Sequence, residues 1–197
     1  MRIAKLLATV FSLLFSITAF AVGPQVEIKT NLGNILLELY PDKASKTVEN
    51  FLQYVKEGHY KSTVFHRVIP GFMIQGGGLD KALRQKSTRP PIENEAANGL
   101  KNNIGTIAMA RTSDPHSASA QFFINVADNA FLNYSAPTDW GYGYTVFGKV
   151  TAGMEIVNKI AATPTGPGNV PKEAIVIEEI RLISTAEPAP AAGQPTK

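Results

Sequence analysis

Between Val26 and Leu182 the large apolar residues come in short runs, each cut off by glycine, proline or asparagine. Runs of that length suit strands, and only two segments carry a helical period. A chain built this way has to gather many short strands around one core and cover them with two helices. Residues 26–40 read as two strands joined at Asn31-Leu32-Gly33, where Asn and Gly favour a tight turn. Further β-like stretches lie near 63–69, 72–76, 104–110, 121–126, 144–149 and 174–183, giving about eight strands. One helix is expected over 44–57, with Val48, Phe51, Leu52 and Val55 as its apolar stripe. Asp42 or Ser45 is its expected cap and Gly58 its stop. A second helix is expected over 152–160, with Met154, Val157 and Ile160 on one side. Closure into a barrel removes exposed edges, but an open sandwich fits the periodicity nearly as well.

The ends read differently from the middle. Arg2 and Lys5 precede an apolar run from Leu6 to Phe20, and Ala19-Phe20-Ala21 follows the A-x-A cleavage pattern. This is the pattern of a secretory signal peptide over residues 1–21, and the run is shorter than the roughly 20 apolar residues of a spanning helix. Without a cysteine at that point, lipid attachment there is excluded. Removal of Arg2 and Lys5 lowers the formal charge from +3 to +1, too little to point to nucleic acid. The absence of cysteine suits an oxidising compartment and leaves the core to hold the fold. Residues 185–197 contain proline and alanine but no large apolar side chain, as a disordered tail does. One domain is therefore expected over 22–184.

Conventional catalytic groupings are missing. His59, His66 and His116 have no metal-ligand spacing, and His66 reads as a structural histidine. Asp114, His116 and Ser117 lie in a turn-rich loop with no scaffold for a triad, so hydrolysis is not indicated. Gly76-Gly77-Gly78 lacks the Lys-Ser/Thr of a phosphate loop, and Gly71, Gly76 and Gly77 are expected as bends and close backbone approaches flanking a strand. The basic loop from Lys81 to Arg89 reads as a solvated face. Strand alternation is more informative. It puts Met73 with Gln75, Gln121 with Phe123, and Tyr144 with Val146 on shared faces, while Phe122 and Ile124 turn towards a core. On alternation alone, solvated glutamines and a functional face stand level.

Three motifs decide between them: the stretch Phe65-His66-Arg67-Val68-Ile69-Pro70-Gly71-Phe72-Met73-Ile74-Gln75-Gly76-Gly77, Gln121-Phe122-Phe123-Ile124, and Val146-Phe147-Gly148-Lys149. With Gly105–Ala110 and Asn129–Leu132, they make the chain resemble the cyclophilin family of peptidyl-prolyl cis-trans isomerases, in particular its bacterial periplasmic members. The resemblance implies a closed eight-stranded antiparallel β-barrel capped by two α-helices, with a substrate groove on its outer surface. It implies isomerisation of X-Pro bonds in exported proteins, with Arg67 and Gln75 as the catalytic residues. Substrate-binding positions carried over are Phe72, Met73, Ala110, Arg111, Gln121, Phe123, Phe131, Leu132 and Tyr144. Phe131 stands in place of a tryptophan that helps bind cyclosporin, so weak binding of that drug is expected. Tyr144 replaces a groove histidine and Arg111 an asparagine. The partners implied are proline-containing polypeptide segments, with no nucleic acid, no membrane after cleavage, a monomer, and no cofactor or metal. The other reading is a non-catalytic periplasmic chaperone that holds proline-containing segments in the same groove.

Overall fold

The computed structural model describes residues 23–184; the expected signal peptide (1–21) and tail (185–197) lie outside them. The chain runs β1 (Gln25–Thr30), β2 (Gly33–Leu39), α1 (Ser45–Lys56), β3 (Thr63–Ile69), β4 (Met73–Asp80), β5 (Thr106–Met109), β6 (Phe122–Asn125), β7 (Val146–Ala152), α2 (Met154–Ala161) and β8 (Val176–Ser184). Every strand pairs antiparallel with two neighbours, in the order β1-β2-β7-β5-β6-β4-β3-β8, and the sheet closes on itself. The expected barrel is thus the observed one. Closure satisfies the backbone of every strand, which an open sandwich leaves undone at its edges.

The barrel interior is filled by Val26, Ile28, Ile35, Leu37, Val68, Ile74, Ile107, Ile124 and a set of rings. Phe51 of α1 reaches into this set, 5.2 Å from Tyr60, 5.8 Å from Phe122 and 5.2 Å from Phe147. The buried residues of α1 are Thr47, Val48, Asn50, Phe51 and Tyr54. The expected stripe is therefore rotated: Leu52 and Val55 are only partly buried, and Tyr54 takes the inner position. The Tyr54 hydroxyl accepts from Arg89 N–H at 2.8 Å, so its polar end is satisfied on burial.

Neither Asp42 nor Ser45 caps α1; its N-cap residue is Ala44. The carboxylate of Glu95, far along the chain, accepts from Lys46 N–H at 3.2 Å, Thr47 N–H at 2.8 Å and the Thr47 hydroxyl at 2.7 Å. A tertiary contact thus satisfies the orphan donors of the first turn. At the other end Gly58 is the stop, as expected. Its φ of +67° lets Gly58 N–H donate to Val55 O and His59 N–H to Tyr54 O, both at 3.0 Å.

The glycine run lies inside β4 rather than beside a strand. A Cβ at Gly76 would lie 2.9 Å from Val64 O, one at Gly77 would lie 2.7 Å from the Phe122 ring, and one at Gly78 would lie 2.3 Å from Gln121 Cγ. The expected close approaches are thus present: the backbone of β3 crowds Gly76, and side chains crowd Gly77 and Gly78.

Candidate active site

Two bulges in the β3–β4 pairing aim the candidate side chains. Phe65 pairs with Gly76 and Arg67 with Gln75, so His66 is one residue too many on β3. In a regular strand Phe65 and Arg67 would share a face. The bulge breaks that parity: Phe65 is buried in the barrel, whereas Arg67 is exposed on the outside and Val68 returns to the core. Simple alternation therefore fails at the residue that matters most here.

Beyond the bulge, register builds the site. Gln75 pairs with Phe123, Phe123 with Ala108, and Ala108 with Val146. Arg67, Gln75, Phe123, Ala108 and Val146 thus form one cross-strand row over β3, β4, β6, β5 and β7. Met73, Ala108, Phe123, Leu132 and Val146 make a second apolar cluster, separate from the barrel interior, with Phe72, Ala110 and Tyr144 packed against it. Each strand of this patch buries one set of side chains inward and lends the other to the outer cluster.

A cavity of about 260 Å³ opens over this cluster, lined by Arg67, Phe72, Met73, Gln75, Ala110, Arg111, Phe123, Leu132 and Tyr144. Nine of the eleven residues singled out from the sequence meet there. The other two adjoin it. Gln121 accepts from Gln75 Nε2 at 3.0 Å. Phe131, 74% exposed, stacks on Phe72 with ring centres 5.5 Å apart. On the far side Tyr144 meets Phe123 edge-on at 5.7 Å.

Arg67 donates from one terminal nitrogen to Gln75 Oε1 at 3.4 Å, and Gln75 passes the polarity on to Gln121. Among the described residues no carboxylate lies within ion-pairing distance of Arg67. A guanidinium has five N–H donors and stays charged. Most of its donors thus remain available beside an apolar floor, where a hydrogen bond is stronger than in water.

Arg111 is oriented otherwise. Its guanidinium donates to the carbonyls of Gly143 (2.9 Å), Thr112 (2.9 Å), Ser113 (3.4 Å) and Asp139 (3.5 Å), and it lies 4.7 Å over the Tyr144 ring. It ties together the loops that form one wall. Ala110 N–H donates to Gln121 O at 3.0 Å, which joins β5 to β6 just beyond their ladder.

Sequence reasoning missed what lies under the pocket. Asn125 donates to Asn102 Oδ1 at 3.2 Å and Thr106 Oγ1 at 2.9 Å; Asn129 donates to Asn125 Oδ1 at 2.7 Å and to Phe72 O at 2.9 Å. Asn102 in turn donates to Leu132 O at 3.1 Å. These buried amides fix the backbone of two pocket walls. The clue in the sequence is polar: Asn125 ends an otherwise apolar strand and Asn129 follows four residues later, where solvated residues would serve as well. His66 has a buried Nδ1 without a partner, and burial holds its imidazole below the ordinary histidine value. The basic loop is tied in on the protein's own surface, Arg84 to Asp80 at 2.8 Å and Arg89 to Glu57 at 2.9 Å.

The family model for cyclophilin type peptidyl-prolyl cis-trans isomerases matches residues 25–182. Peptidyl-prolyl cis-trans isomerase B of Escherichia coli is 55% identical over 161 residues, which cover 80% of this chain and 98% of the relative. Peptidyl-prolyl cis-trans isomerase A of Dickeya dadantii is 50% identical over 188 residues, covering 92% and 97%. A crystal structure of a cyclophilin type peptidyl-prolyl cis-trans isomerase from Cryptosporidium parvum, obtained in the presence of the dipeptide Ala-Pro, superposes with a TM-score of 0.68 at 31% identity, covering 82% and 99%. With the closed barrel, the outer pocket and these matches over nearly all of the described residues, the protein belongs to the cyclophilin-type peptidyl-prolyl cis-trans isomerase family.

Proposed function

We propose that this isomerase turns over X-Pro bonds in the pocket beside Arg67, with the proline ring seated on Phe123, Met73 and Leu132. The single observation that carries the reading is a guanidinium without a carboxylate partner among the described residues, at the edge of a 260 Å³ cavity with an apolar floor. The Cryptosporidium relative was crystallised in the presence of the dipeptide Ala-Pro, which supports a proline-containing substrate.

Resonance resists rotation about a peptide bond by about 18–20 kcal/mol, and unaided X-Pro exchange takes about 10–100 s. In the twisted state the nitrogen recovers its lone pair. Arg67 donates a hydrogen bond to that nitrogen, an interaction the planar ground state makes poorly. Gln75, held by Gln121, keeps the guanidinium over the pocket. The floor grips the ring while the preceding carbonyl swings. This is stabilisation of the transition state over the ground state. A hundredfold acceleration needs about 2.7 kcal/mol of such preference, within reach of one charge-assisted hydrogen bond plus orientation.

The working site is the periplasm, with residues 1–21 as a cleaved signal peptide and residues 185–197 as a tail outside the domain. Basic start, apolar run and Ala19-Phe20-Ala21 support export. The Dickeya match, over 92% of the chain, reaches beyond residues 25–182, so the similarity extends past the domain. The clients are proline-containing exported segments, and the protein acts on them as a monomer. Phe131 offers a stacked phenyl ring and no indole N–H, which supports weak cyclosporin binding.

Exchange NMR on a short Ala-Pro-Phe peptide tests the assignment. The protein is expected to speed cis-trans exchange, and Arg67→Ala to lower kcat/KM about a hundredfold with peptide binding retained. Equal turnover in the variant would remove Arg67 from the mechanism.

A further inference from the structure

A second and larger cavity, about 790 Å³, lies against the first; Arg111, Asp114, Pro115, Asp139, Trp140 and Tyr144 are among its walls. Arg111 and Tyr144 line both cavities. The second cavity is therefore within reach of side chains next to a proline held in the first, since successive residues lie only about 3.8 Å apart. The chain's single tryptophan, Trp140, stands at this rim and is 98% exposed. Its indole contributes nothing to the core, so packing does not account for its position.

The charges around the cavity decide what fits. Arg111 directs its donors at four wall carbonyls and lies against the Tyr144 ring, which turns its charge into the wall. Asp114 accepts a backbone N–H from His116 at 2.9 Å; among the described residues its other oxygen and the Asp139 carboxylate have no hydrogen-bond partner. An indole face with carboxylate oxygens beside it complements a cation. An acidic neighbour would meet the same carboxylates as like charges.

We propose that this cavity is a specificity subsite for an arginine or lysine side chain lying a few residues from the isomerised proline, with Trp140 as the specificity-determining residue. The proposal rests on the assignment of the first pocket to proline.

Three peptide sets test it, each Ala-Pro-Phe based, with arginine, alanine or glutamate placed at positions before or after the proline. For the purified protein, arginine at one of these positions is expected to raise kcat/KM about five- to tenfold over alanine, chiefly through KM, and glutamate to lower it. In Trp140→Ala the arginine-to-alanine ratio is expected to fall to about one, and in Asp139→Asn to an intermediate value. Because the ratio is taken within each variant, a general change in activity cancels. Equal kcat/KM for all three peptides, or an unchanged ratio in Trp140→Ala, would overturn the subsite while leaving the proline pocket standing. Loss of isomerisation for every peptide would overturn the pocket reading and the subsite with it.

Discussion

Phe122 and Phe123 are consecutive residues of β6, 0% and 4% exposed, and they serve different halves of the molecule. Phe122 points into the barrel, where it meets Phe51, Tyr60 and Phe65 edge-on. Phe123 points outward into a cluster of five buried residues that is open to solvent on one side and edged by Arg67, Gln75 and Arg111. The two rings differ little in burial, so burial alone does not separate core from binding site. The inner cluster is closed on all sides by its own chain, whereas the outer one lacks a covering layer. It is over this uncovered side that the 260 Å³ cavity opens.

The strongest way to break this comparison is to truncate each ring. Phe122→Ala is expected to cost about 3–5 kcal/mol of stability in chemical denaturation, as deletion of an enclosed aromatic does. Phe123→Ala is expected to cost less, about 1–3 kcal/mol, because solvent can enter the space, yet to abolish measurable peptide binding. Retained binding in Phe123→Ala would contradict the pocket floor. The asparagine layer joins the two regions, and Asn129→Ala leaves Asn125 Oδ1 without its donor and Phe72 O with only that from Val126 N–H. A loss of about 1–3 kcal/mol is expected, together with a raised KM as the Phe72 wall loosens. An unchanged KM would mean that the layer supports the barrel alone.

Gln75→Leu keeps the size of the side chain and removes the link from Arg67 to Gln121. Stability is expected to hold within about 0.5 kcal/mol, and kcat to fall about three- to tenfold. The smallest effect separates the two regions by pH. Burial lowers the imidazole values of His59 and His66, aided at His59 by the Lys86 charge. On acidification the unfolded chain takes up these protons first, near its ordinary value of about 6.5. Stability is therefore complete above that pH and declines as pH falls below it, by a few degrees of Tm, with a smaller decline in His66→Gln. Over pH 6–8 kcat/KM is expected to stay flat, because a guanidinium and amides do not titrate there. A bell-shaped profile would call for an acid or base that this pocket does not offer.

Much of the fold was legible because it rests on local rules. The Asn31–Gly33 turn, the stop at Gly58 and the short apolar runs each follow from backbone preference or period, and all eight strands fall where those runs lie. What misled was the assumption that a face continues unbroken. The α1 stripe shifted to Tyr54 because Arg89 satisfies its hydroxyl, and the helix took its cap from Glu95 rather than from Asp42 or Ser45. The glycine run continued β4 because its neighbours crowd it. At the site, the motifs pointed to residues that do meet in space, but nothing local distinguished Asn125 and Asn129 from solvated amides.

The amino-acid sequence by itself determined the inventory: short strands, two helices, apolar residues for two sets of faces, and the motifs that mark the family. Tertiary structure decided which face each residue serves. The bulge at His66 put Arg67 outside two residues after Phe65 went inside, and antiparallel register then lined it up with Gln75, Phe123, Ala108 and Val146. The physical reason is that side-chain alternation is a property of one strand, whereas register and bulges belong to pairs of strands and are fixed only when the barrel closes.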